Sequence, residues 1–421
     1  MQPIDQPVTP ALTGSVFERS LKQRLTQLRE CELTIVEPGG RSVYGDPAGR
    51  EVQRCTITVH DVAMYQRVAL GGSVGVAEAY MEGLWSADDL VALIRIFVRN
   101  RDLLDAMEGG MARLGGWFLR AWHALQRNTK FGSKKNIAAH YDLGNALFRL
   151  FLDDTLMYSA AVYTRPEETL EQASKRKLDR ICQKLDLRPG QHLLEIGTGW
   201  GGLALHAATH FGCKVTTTTI SEEQHALASE RIAAAGLSER ISVLLSDYRD
   251  LTGQFDKLVS VEMIEAIGHQ YLQAYFGKLG ELLKDDGLAL IQAITIEDSR
   301  YERALKDIDF IKRYIFPGSF IPSVSAMLGA LAKTSNMKLV HLEDIGPSYA
   351  LTLREWRRRF LGKQDEVRAL GYPNEFVRMW DYYLAYCEGG FLERSIGDVQ
   401  MLMAKPRNRR VQFMPDLDPK I

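Results

Sequence analysis

The fold is decided by residues 192–204, which read His192-Leu193-Leu194-Glu195-Ile196-Gly197-Thr198-Gly199-Trp200-Gly201-Gly202-Leu203-Ala204. An apolar run ends in an acidic residue, four glycines follow, and a helix-forming segment comes next. This order predicts a strand, a tight turn and a helix N-terminus, the place where a nucleotide-like ligand binds in an open α/β sheet. Glycine lets the backbone approach such a ligand closely, and the helix N-terminus offers N–H groups to a carboxylate or phosphate.

The spacing of the glycines narrows the class of ligand. Glu-x-Gly-x-Gly-x-Gly-Gly is not followed by the Lys-Ser/Thr pair of a P-loop. It resembles the first motif of S-adenosylmethionine (SAM)-dependent methyltransferases. On this stretch alone, the alternative interpretation is a structural turn in an unrelated α/β protein.

The composition bounds the class of protein. The chain has 421 residues, enough for two domains, with 46% hydrophobic and 25% charged residues. Its net charge of −1 argues against nucleic acid as a partner. The five cysteines are scattered without Cys-x-x-Cys spacing, which argues against a disulfide framework and a metal site and predicts a reducing compartment.

No targeting or membrane-spanning segment is evident in the sequence. The first residues lack the basic and apolar segments of a signal peptide. No run reaches the roughly 18 apolar residues of a membrane span; the nearest, residues 91–98, is interrupted by Arg95. We therefore expect a cytoplasmic protein whose membrane contact is peripheral, at the inner face.

Residues 1–125 are expected to form an accessory domain with a linker. Helical spacing covers residues 14–29 and the stretches 61–69 and 74–82, and strands are predicted at 31–36 and 52–59. This small α+β domain carries no cluster of residues that suggests chemistry, so packing or lipid presentation is its expected role.

Residues 126–406 are expected to form the catalytic domain, followed by a polar tail at 407–421. Strands alternate with helices at 200–211, 221–235 and 270–285, which predicts a parallel sheet. The seven predicted strands are 192–197, 213–219, 241–246, 256–262, 287–296, 337–342 and 398–405. The connection between residues 296 and 335 is long enough to form a functional cap.

Short motifs flank the glycine turn in a fixed order. They are His140-Tyr141-Asp142-Leu143-Gly144-Asn145 with Phe148 to Asp153, Met157-Tyr158-Ser159, Thr219 to Gln224, Ile264-Glu265-Ala266-Ile267-Gly268, Arg313-Tyr314-Ile315-Phe316-Pro317-Gly318, and Tyr382 to Phe391. Over roughly residues 130–405 this order resembles the cyclopropane-fatty-acyl-phospholipid synthase family, which includes the mycolic acid cyclopropane synthases. Residues 71–83 also resemble the smaller domain of the longer bacterial synthases. The resemblance implies a Rossmann-like, seven-stranded class I SAM methyltransferase sheet, a smaller N-terminal α+β domain and a helical cap insertion.

The resemblance implies that SAM is the cosubstrate. Thr219 and Gln224 would lie near its ribose, and Asp247 and Tyr248 would border its adenine, with Tyr248 as a stacking face. A purely structural role stays open here, because Ser221 is also a good helix N-cap. The residues expected at the amino-acid end of SAM are Tyr158, Ser159, Glu195, Gly197, Gly199, Gly201 and Gly202.

The resemblance also implies methylene transfer to the cis double bond of an unsaturated phospholipid acyl chain. The alkene attacks the sulfonium methyl, and the carbocation loses a proton and closes to a cyclopropane. Aromatic faces stabilise such a cation without trapping it. The aromatic candidates in the cap, equally suited to a core role, are Tyr301, Phe310, Tyr314, Phe316 and Phe320.

The base implied by the resemblance is a bound bicarbonate. By position, Glu265, Tyr349 and the backbone N–H of Ile294 would hold it. A carboxylate beside an anion requires a proton on one of them, so we expect a protonated, partly buried Glu265. Cys387 matches a family cysteine near the site, although a small buried apolar residue is the alternative role.

Two residues depart from the family pattern. Gln292 stands where the family has His; it can donate a hydrogen bond but cannot carry charge. Ala160 stands where the family has Cys, and it keeps the backbone N–H. Either bicarbonate binds through a changed network, or the cation is processed to a methyl or methylene branch without ring closure. A non-catalytic lipid-binding protein is the hypothesis from another class.

Two basic segments are candidates for contact with anionic headgroups. Residues 101–135 combine basic and aromatic residues, and residues 354–360 contain an arginine run. A linker helix and a solvated helix face are the respective alternatives. A second copy of the chain, which would form a homodimer, is a further partner that the sequence leaves open.

Overall fold

The computed structural model describes residues 16–102 and 144–410. The chain divides into two compact units, Met1–Gly116 and Trp117–Ile421. Three stretches discussed above lie outside the described residues. They are most of the predicted segment 101–135, the motif residues 140–143 and the tail beyond residue 410.

The described part of the first unit has a four-stranded sheet of order β2-β1-β3-β4. Both predicted strands are present, but the sequence did not indicate β2, β4 or the helix α3. The two predicted helices form α2, which Gly72 interrupts with a non-helical φ of 56°. The elements are α1 Val16–Leu25, β1 Cys31–Glu37, β2 Gly40–Tyr44, β3 Gln53–Val59, α2 Ala63–Met81, β4 Trp85–Ala87 and α3 Leu90–Arg99.

The second unit is built on a seven-stranded sheet of order β10-β11-β9-β8-β5-β6-β7. The order and the parallel pairing of the five strands β5 to β9 confirm the Rossmann-like prediction. The last two strands run antiparallel to their neighbours. The strands are β5 His192–Ile196, β6 Lys214–Thr219, β7 Ile241–Leu245, β8 Phe255–Val261, β9 Leu283–Ile296, β10 Lys338–Asp344 and β11 Ile396–Ala404.

Helices cover the sheet, and the connection between β9 and β10 is helical, as predicted. That connection contains α9, a π-helical turn at Ile311–Ile315 and α10. The helices described in this unit are α4 Asn145–Arg149, α5 Leu170–Lys184, α6 Gly202–His210, α7 Glu222–Ala234, α8 Leu272–Leu282, α9 Tyr301–Ala304, α10 Val324–Thr334, α11 Gly346–Gly362, α12 Gln364–Ala369 and α13 Asn374–Leu392.

The central strands are buried on both faces, which explains their continuous apolar sequences. Leu194 of β5 packs in one cluster with Phe276 and Met327, and Leu193 packs in the other with Leu203 and Val215. Because β5 and β8 are parallel neighbours, their carboxyl ends meet at the same edge of the sheet. The residues that follow these two strands are therefore brought together.

All five cysteines are free thiols. Cys387 is half-buried and the other four are buried. Among the described helices, none has both the length and the apolar character needed to span a membrane. Within the same residues there is no group of three or more His, Cys, Asp or Glu side chains arranged to hold a metal ion.

Candidate active site

The glycine turn after β5 is built from backbone geometry. The N–H groups of Gly197 and Thr198 both donate to the carbonyl of Thr218 at 3.0 Å. Gly201, at φ 83°, precedes α6 in a left-handed conformation that favours glycine. A Cβ on Gly202 would lie 2.5 Å from the carbonyl oxygen of Thr155. The turn therefore requires glycine in order to pack against the segment that leads to Tyr158 and Ser159.

A buried polar pair lies beside this turn. Lys177 Nζ donates to Ser159 Oγ at 2.6 Å, and burial lowers the pKa of Lys177 to about 8. Burial raises the pKa of Glu195 to about 8, opposed by a hydrogen bond with Thr217 and by the charge of Lys177. Glu195 Oε2 is buried without a hydrogen-bond partner among the described residues. A cationic ligand group could satisfy that oxygen.

Thr219 and Gln224 are bound to each other at the end of β6. Thr219 Oγ1 donates to Gln224 Oε1 at 2.8 Å and accepts the N–H of Ser221 at 3.1 Å. Ser221 caps α7 by accepting the Gln224 N–H at 3.2 Å. The structural role that the sequence left open for Ser221 is therefore present, and it fixes the two expected ribose-binding residues in place.

Tyr248 occupies a different environment from the expected one. Its ring is 7% exposed and meets Tyr275 edge-on at 5.4 Å. The guanidinium of Arg249 lies 5.5 Å from its ring centroid and binds the carboxylate of Asp247 at 2.6 Å. Tyr248 is therefore a core residue with one face covered, rather than an open stacking face. Its contact with adenine, and that of Asp247, stay predictions.

Glu262 is the centre of a second cluster, directly after β8. Its Oε1 accepts the N–H of Ala160 at 2.8 Å and the amide of Gln292 at 2.8 Å. Its Oε2 accepts the hydroxyl of Tyr349 at 2.7 Å. Three groups that the sequence assigned to a bicarbonate thus meet at a carboxylate of the chain itself. The sequence analysis did not single out Glu262, although an acidic residue at a strand end was a signal available to it.

A buried amide chain fixes the orientation of Gln292. Gln400 Nε2 donates to Gln292 Oε1 at 3.0 Å, and Gln400 Oε1 accepts from Lys184 Nζ at 2.7 Å. Because Gln292 Oε1 is occupied by a donor, the network assigns Nε2 to the side that faces Glu262. Gln292 Nε2 also lies 3.2 Å from Asp398 Oδ2.

Asp398 completes the cluster from β11. Burial, followed by the charge of Glu262, raises the pKa of Asp398 well above its ordinary value. A hydrogen bond with Glu262 acts in the same direction. The buried position and the neighbouring Glu262 therefore both favour the protonated form of Asp398.

Glu265 lies beside this cluster with a separate partner. Its Oε1 accepts the N–H of Ile294 at 2.6 Å, and its Oε2 is buried without a partner among the described residues. Burial, followed by repulsion from Glu262, raises the pKa of Glu265 to about 8. This direction matches the protonated carboxyl expected from the sequence. Glu265 and Ile294 bind each other, whereas Tyr349, Gln292 and Ala160 bind Glu262.

Cys387 is not among the groups that bind Glu262. It lies on α13 and is half-buried, and burial raises the pKa of its thiol. The charge of Asp309 acts in the same direction. The alternative role, a small and largely buried residue, therefore fits its surroundings.

An aromatic wall surrounds Tyr158. Its ring packs 5.2 Å from Trp356 and 5.2 Å from Phe148, and its hydroxyl lies 2.8 Å from that of Tyr383. Of the five cap aromatics, Phe310 and Phe320 are almost fully buried and have core positions. Phe148, Trp356 and Tyr383 thus bring α4, α11 and α13 to Tyr158.

The arginine run on α11 is engaged in ion pairs. Arg354 binds Glu388 at 2.9 Å and Arg357 binds Asp381 at 2.6 Å. Arg358 and Arg359 both bind Glu355 at 2.7 Å. The run therefore presents less uncompensated positive charge than its sequence suggested, and its contact with headgroups stays a prediction.

Comparisons with known proteins show the family to which the chain is similar. The sequence model of the mycolic acid cyclopropane synthetase family matches residues 128–401. The tuberculostearic acid methyltransferase of Mycobacterium tuberculosis is 39% identical over 337 residues, covering 78% of this chain and 78% of that protein. The cyclopropane-fatty-acyl-phospholipid synthase of Escherichia coli is 35% identical over 353 residues, covering 83% of this chain and 87% of that protein.

Solved structures give the same result. A mycolic acid cyclopropane synthase complexed with SAH and CTAB superposes with a TM-score of 0.61 at 30% identity. The match covers 65% of this chain and 98% of that one. A second cyclopropane synthase of Mycobacterium tuberculosis gives the same TM-score, identity and coverage.

Proposed function

The chain belongs to the mycolic acid cyclopropane synthetase family and is a SAM-dependent methyltransferase, and on this premise we propose that it transfers a methylene group from SAM to the cis double bond of an unsaturated phospholipid acyl chain, forming a cyclopropane. The observation that carries the proposal is the juxtaposition of two sites. The glycine turn after β5 and the acidic cluster after β8 lie at the ends of neighbouring parallel strands.

The residues around the turn fit SAM. The glycines at 197, 199 and 201 have positive φ and form a cradle that side chains would fill. The buried, unpartnered Glu195 Oε2 suits the ammonium of the SAM amino-acid end. When bound, SAM supplies an electrophilic methyl group.

The chain's own residues then have three tasks. The aromatic wall of Phe148, Tyr158 and Trp356 excludes water and offers faces that stabilise a cation. Glu262 and Glu265 place carboxyl groups at the adjacent strand end. The amide of Gln292 and the hydroxyl of Tyr349 hold the Glu262 carboxylate in position.

The bicarbonate implied by the family does not fit the donor set as it stands. Three of its expected donors, on Ala160, Gln292 and Tyr349, already bind Glu262. The fourth, the N–H of Ile294, binds Glu265. We therefore derive no step through bicarbonate.

A second candidate product is a methyl or methylene branch without ring closure. This candidate is retained because Gln292, which stands where the family has His, binds Glu262 and so changes the surroundings of the base. The similar protein named tuberculostearic acid methyltransferase, which is 39% identical, also supports the branched product. The first methyl-transfer step is the same for both products. The methylene branch then requires a 1,2-hydride shift onto the cationic carbon before the proton is lost, whereas ring closure does not.

Lipid analysis tests the proposal. The protein is expressed in cells that contain monounsaturated phospholipids, and their fatty acids are examined by gas chromatography–mass spectrometry. We expect a new acid heavier by one methylene group that resists hydrogenation under mild conditions, as a ring does. A product of that mass that takes up hydrogen is a methylene branch and favours the second candidate. Unchanged lipids contradict the proposal, and calorimetry with SAM then tests the non-catalytic alternative.

Glu265→Gln tests the role of the second carboxyl group. If Glu265 serves the chemistry, turnover should fall by about tenfold, while SAM affinity by calorimetry changes little. Glu281→Gln, on an exposed face, is the matched control. Wild-type turnover in the Glu265 variant would remove the assignment.

A further inference from the structure

We propose that Glu262 is a built-in catalytic base, which takes the proton from the transferred methyl group in place of a bound bicarbonate. The proposal rests on the proposed function. It concerns a residue to which the sequence analysis gave no role.

The first support is the arrangement of donors. A backbone N–H, a side-chain amide and a phenol converge on one carboxylate at 2.7 to 2.8 Å. Bicarbonate and carboxylate have the same planar, anionic CO₂ group, so the donors that suit one suit the other. A bicarbonate at this place would displace Glu262 from its donors or lie beside it, where two anions repel each other.

The second support is the backbone of Glu262. Its φ of 47° lies in the left-handed region, which is uncommon for a non-glycine residue. The conformation is held by its N–H, which donates to the carbonyl of Gln292 at 2.8 Å. Such backbone strain is concentrated at functional sites, where the surrounding structure enforces it.

The third support is accessibility. Gln292 and Asp398 are fully buried, whereas Glu262 is partly exposed. The next residue, Met263, lies against the glycine turn, since a Cβ on Gly197 would be 3.3 Å from it. Glu262 is thus less buried than Gln292 and Asp398, and the residue that follows it lies against the turn that would hold the methyl donor.

The proton balance is simple. The alkene π electrons form the bond to the methyl carbon, and the carbon–sulfur electron pair stays on sulfur, which gives S-adenosylhomocysteine. Glu262 takes one proton from the new methyl group. The released C–H electron pair closes the cyclopropane ring. In the branched product, a 1,2-hydride shift first places the cation on the methyl-bearing carbon, and the same electron pair then forms the methylene double bond.

The surroundings suit this base. A carbocation is a very strong acid, so even a carboxylate that accepts several hydrogen bonds is basic enough. The same hydrogen bonds restrain its oxygens from attacking the cation as a nucleophile. The titratable groups that face Glu262 are Asp398 on β11, Glu265 after β8, Lys177 on α5 and Tyr349 on α11.

The experiment compares Glu262→Gln and Glu262→Gly with the wild type, in buffer depleted of carbon dioxide and with added bicarbonate. Gln keeps an acceptor for Ala160 and Gln292 but removes the charge. Gly suits φ 47° and vacates the carboxylate position, which gives a second variant if the first folds poorly. Glu281→Gln is the control, and SAM binding by calorimetry verifies the fold of each variant.

We expect wild-type turnover to be unchanged by bicarbonate. Turnover should fall by about 10²- to 10⁴-fold in both variants. Added bicarbonate should restore Glu262→Gly by at least about tenfold, because the vacated donors can bind it, and should leave Glu262→Gln unchanged. SAM with a deuterated methyl group should give a larger isotope effect in Glu262→Gln than in the wild type, since proton removal becomes slow.

Two results overturn the proposal. One is a wild-type enzyme that loses turnover when bicarbonate is removed. The other is a folded, SAM-binding Glu262→Gln that retains half or more of wild-type turnover. Either result presupposes that the wild type modifies lipid, so failure of the proposed function is recognised separately, by the absence of any lipid product.

Discussion

The glycine turn after β5 and the acidic cluster after β8 occupy equivalent places at adjacent strand ends, but they are specified differently. The turn is local: residues 197–202 form it through their own backbone, with help from one carbonyl of β6. The cluster is assembled from Ala160, Glu262, Gln292 and Tyr349, which lie far apart in the chain.

This difference shows which half of the site can be predicted from the sequence. A turn that requires positive φ and close approach leaves a glycine pattern in consecutive residues. A cluster of hydrogen-bonding partners leaves no contiguous pattern, because each partner comes from a different element. The two halves should therefore also fail differently when they are mutated.

Gly202→Ala should have the largest effect and act on the turn. The new Cβ would meet the Thr155 carbonyl at 2.5 Å, so the backbone must move, at a cost of about 3 kcal/mol. We expect SAM binding by calorimetry to weaken by about a hundredfold. Gly329→Ala, in an open helical position, is the control. Unchanged SAM affinity in Gly202→Ala would contradict the view that the glycine turn, unlike the acidic cluster, determines SAM binding.

The acidic cluster should appear in the pH dependence of stability. The pKa of Glu265 is raised from 4.5 to about 8. Between these values the unfolded chain has lost the proton that the folded chain retains, so stability decreases as pH rises. The decrease is about 1.4 kcal/mol per pH unit for each such group. Below pH 4.5 both states hold the proton, and there this contribution is constant.

Glu265→Gln should reduce that slope by about one proton, or about 1.4 kcal/mol per pH unit. The measurement is the free energy of unfolding in denaturant from pH 5 to 7.5. Glu195, which has a similarly raised pKa, keeps its own contribution in this variant. A slope identical to that of the wild type would mean that Glu265 is ionised in the folded protein.

The sequence predicted the sheet well because each of its strands has a strong local signal. All seven strands of the second unit lie within a few residues of their predicted bounds. In the first unit, β2 and β4 were missed because they are short and half-exposed, with little apolar periodicity. The long apolar run at residues 91–98 proved to be α3, packed within the unit.

The candidate site was predicted in part. The family resemblance named Tyr349, Gln292 and Ala160 across long sequence separations, and the structure brings these three residues together, while their roles stay predictions. Their common partner was not foreseen, since Glu262 looked like the ordinary end of a strand. The core position of Tyr248 was also missed, because its burial depends on Tyr275 and Arg249, which only the tertiary structure brings to it.

Thr352→Val should have a smaller effect and tests how the cluster is held. Thr352 Oγ1 accepts the buried N–H of Ala161 at 3.1 Å, next to the Ala160 N–H that binds Glu262. Valine has the same shape but cannot accept, so stability should fall by about 1 kcal/mol. Turnover should fall several-fold while SAM affinity stays close to wild type. Equal losses of turnover and of SAM affinity would mean that the segment containing Ala160 and Ala161 supports the glycine turn as much as the acidic cluster.

The smallest effect is expected at the surface, where the arginine run provides a contrast with both buried halves. Arg354 and Arg358 have side chains that are 56% and 70% exposed and paired with carboxylates. Replacing Arg358 with Gln should change the free energy of unfolding by less than about 0.5 kcal/mol. Arg354 is left in place because its partner Glu388 has a side chain that is only 4% exposed. Co-sedimentation with anionic vesicles at low salt should fall about twofold, because the pairing offsets much of the attraction. At high salt the difference should vanish, since screening removes the electrostatic contribution. Arg188→Gln, at a 69% exposed ion pair elsewhere on the unit, is the matched control. If both variants lower vesicle binding equally, general charge rather than this face of α11 carries the contact.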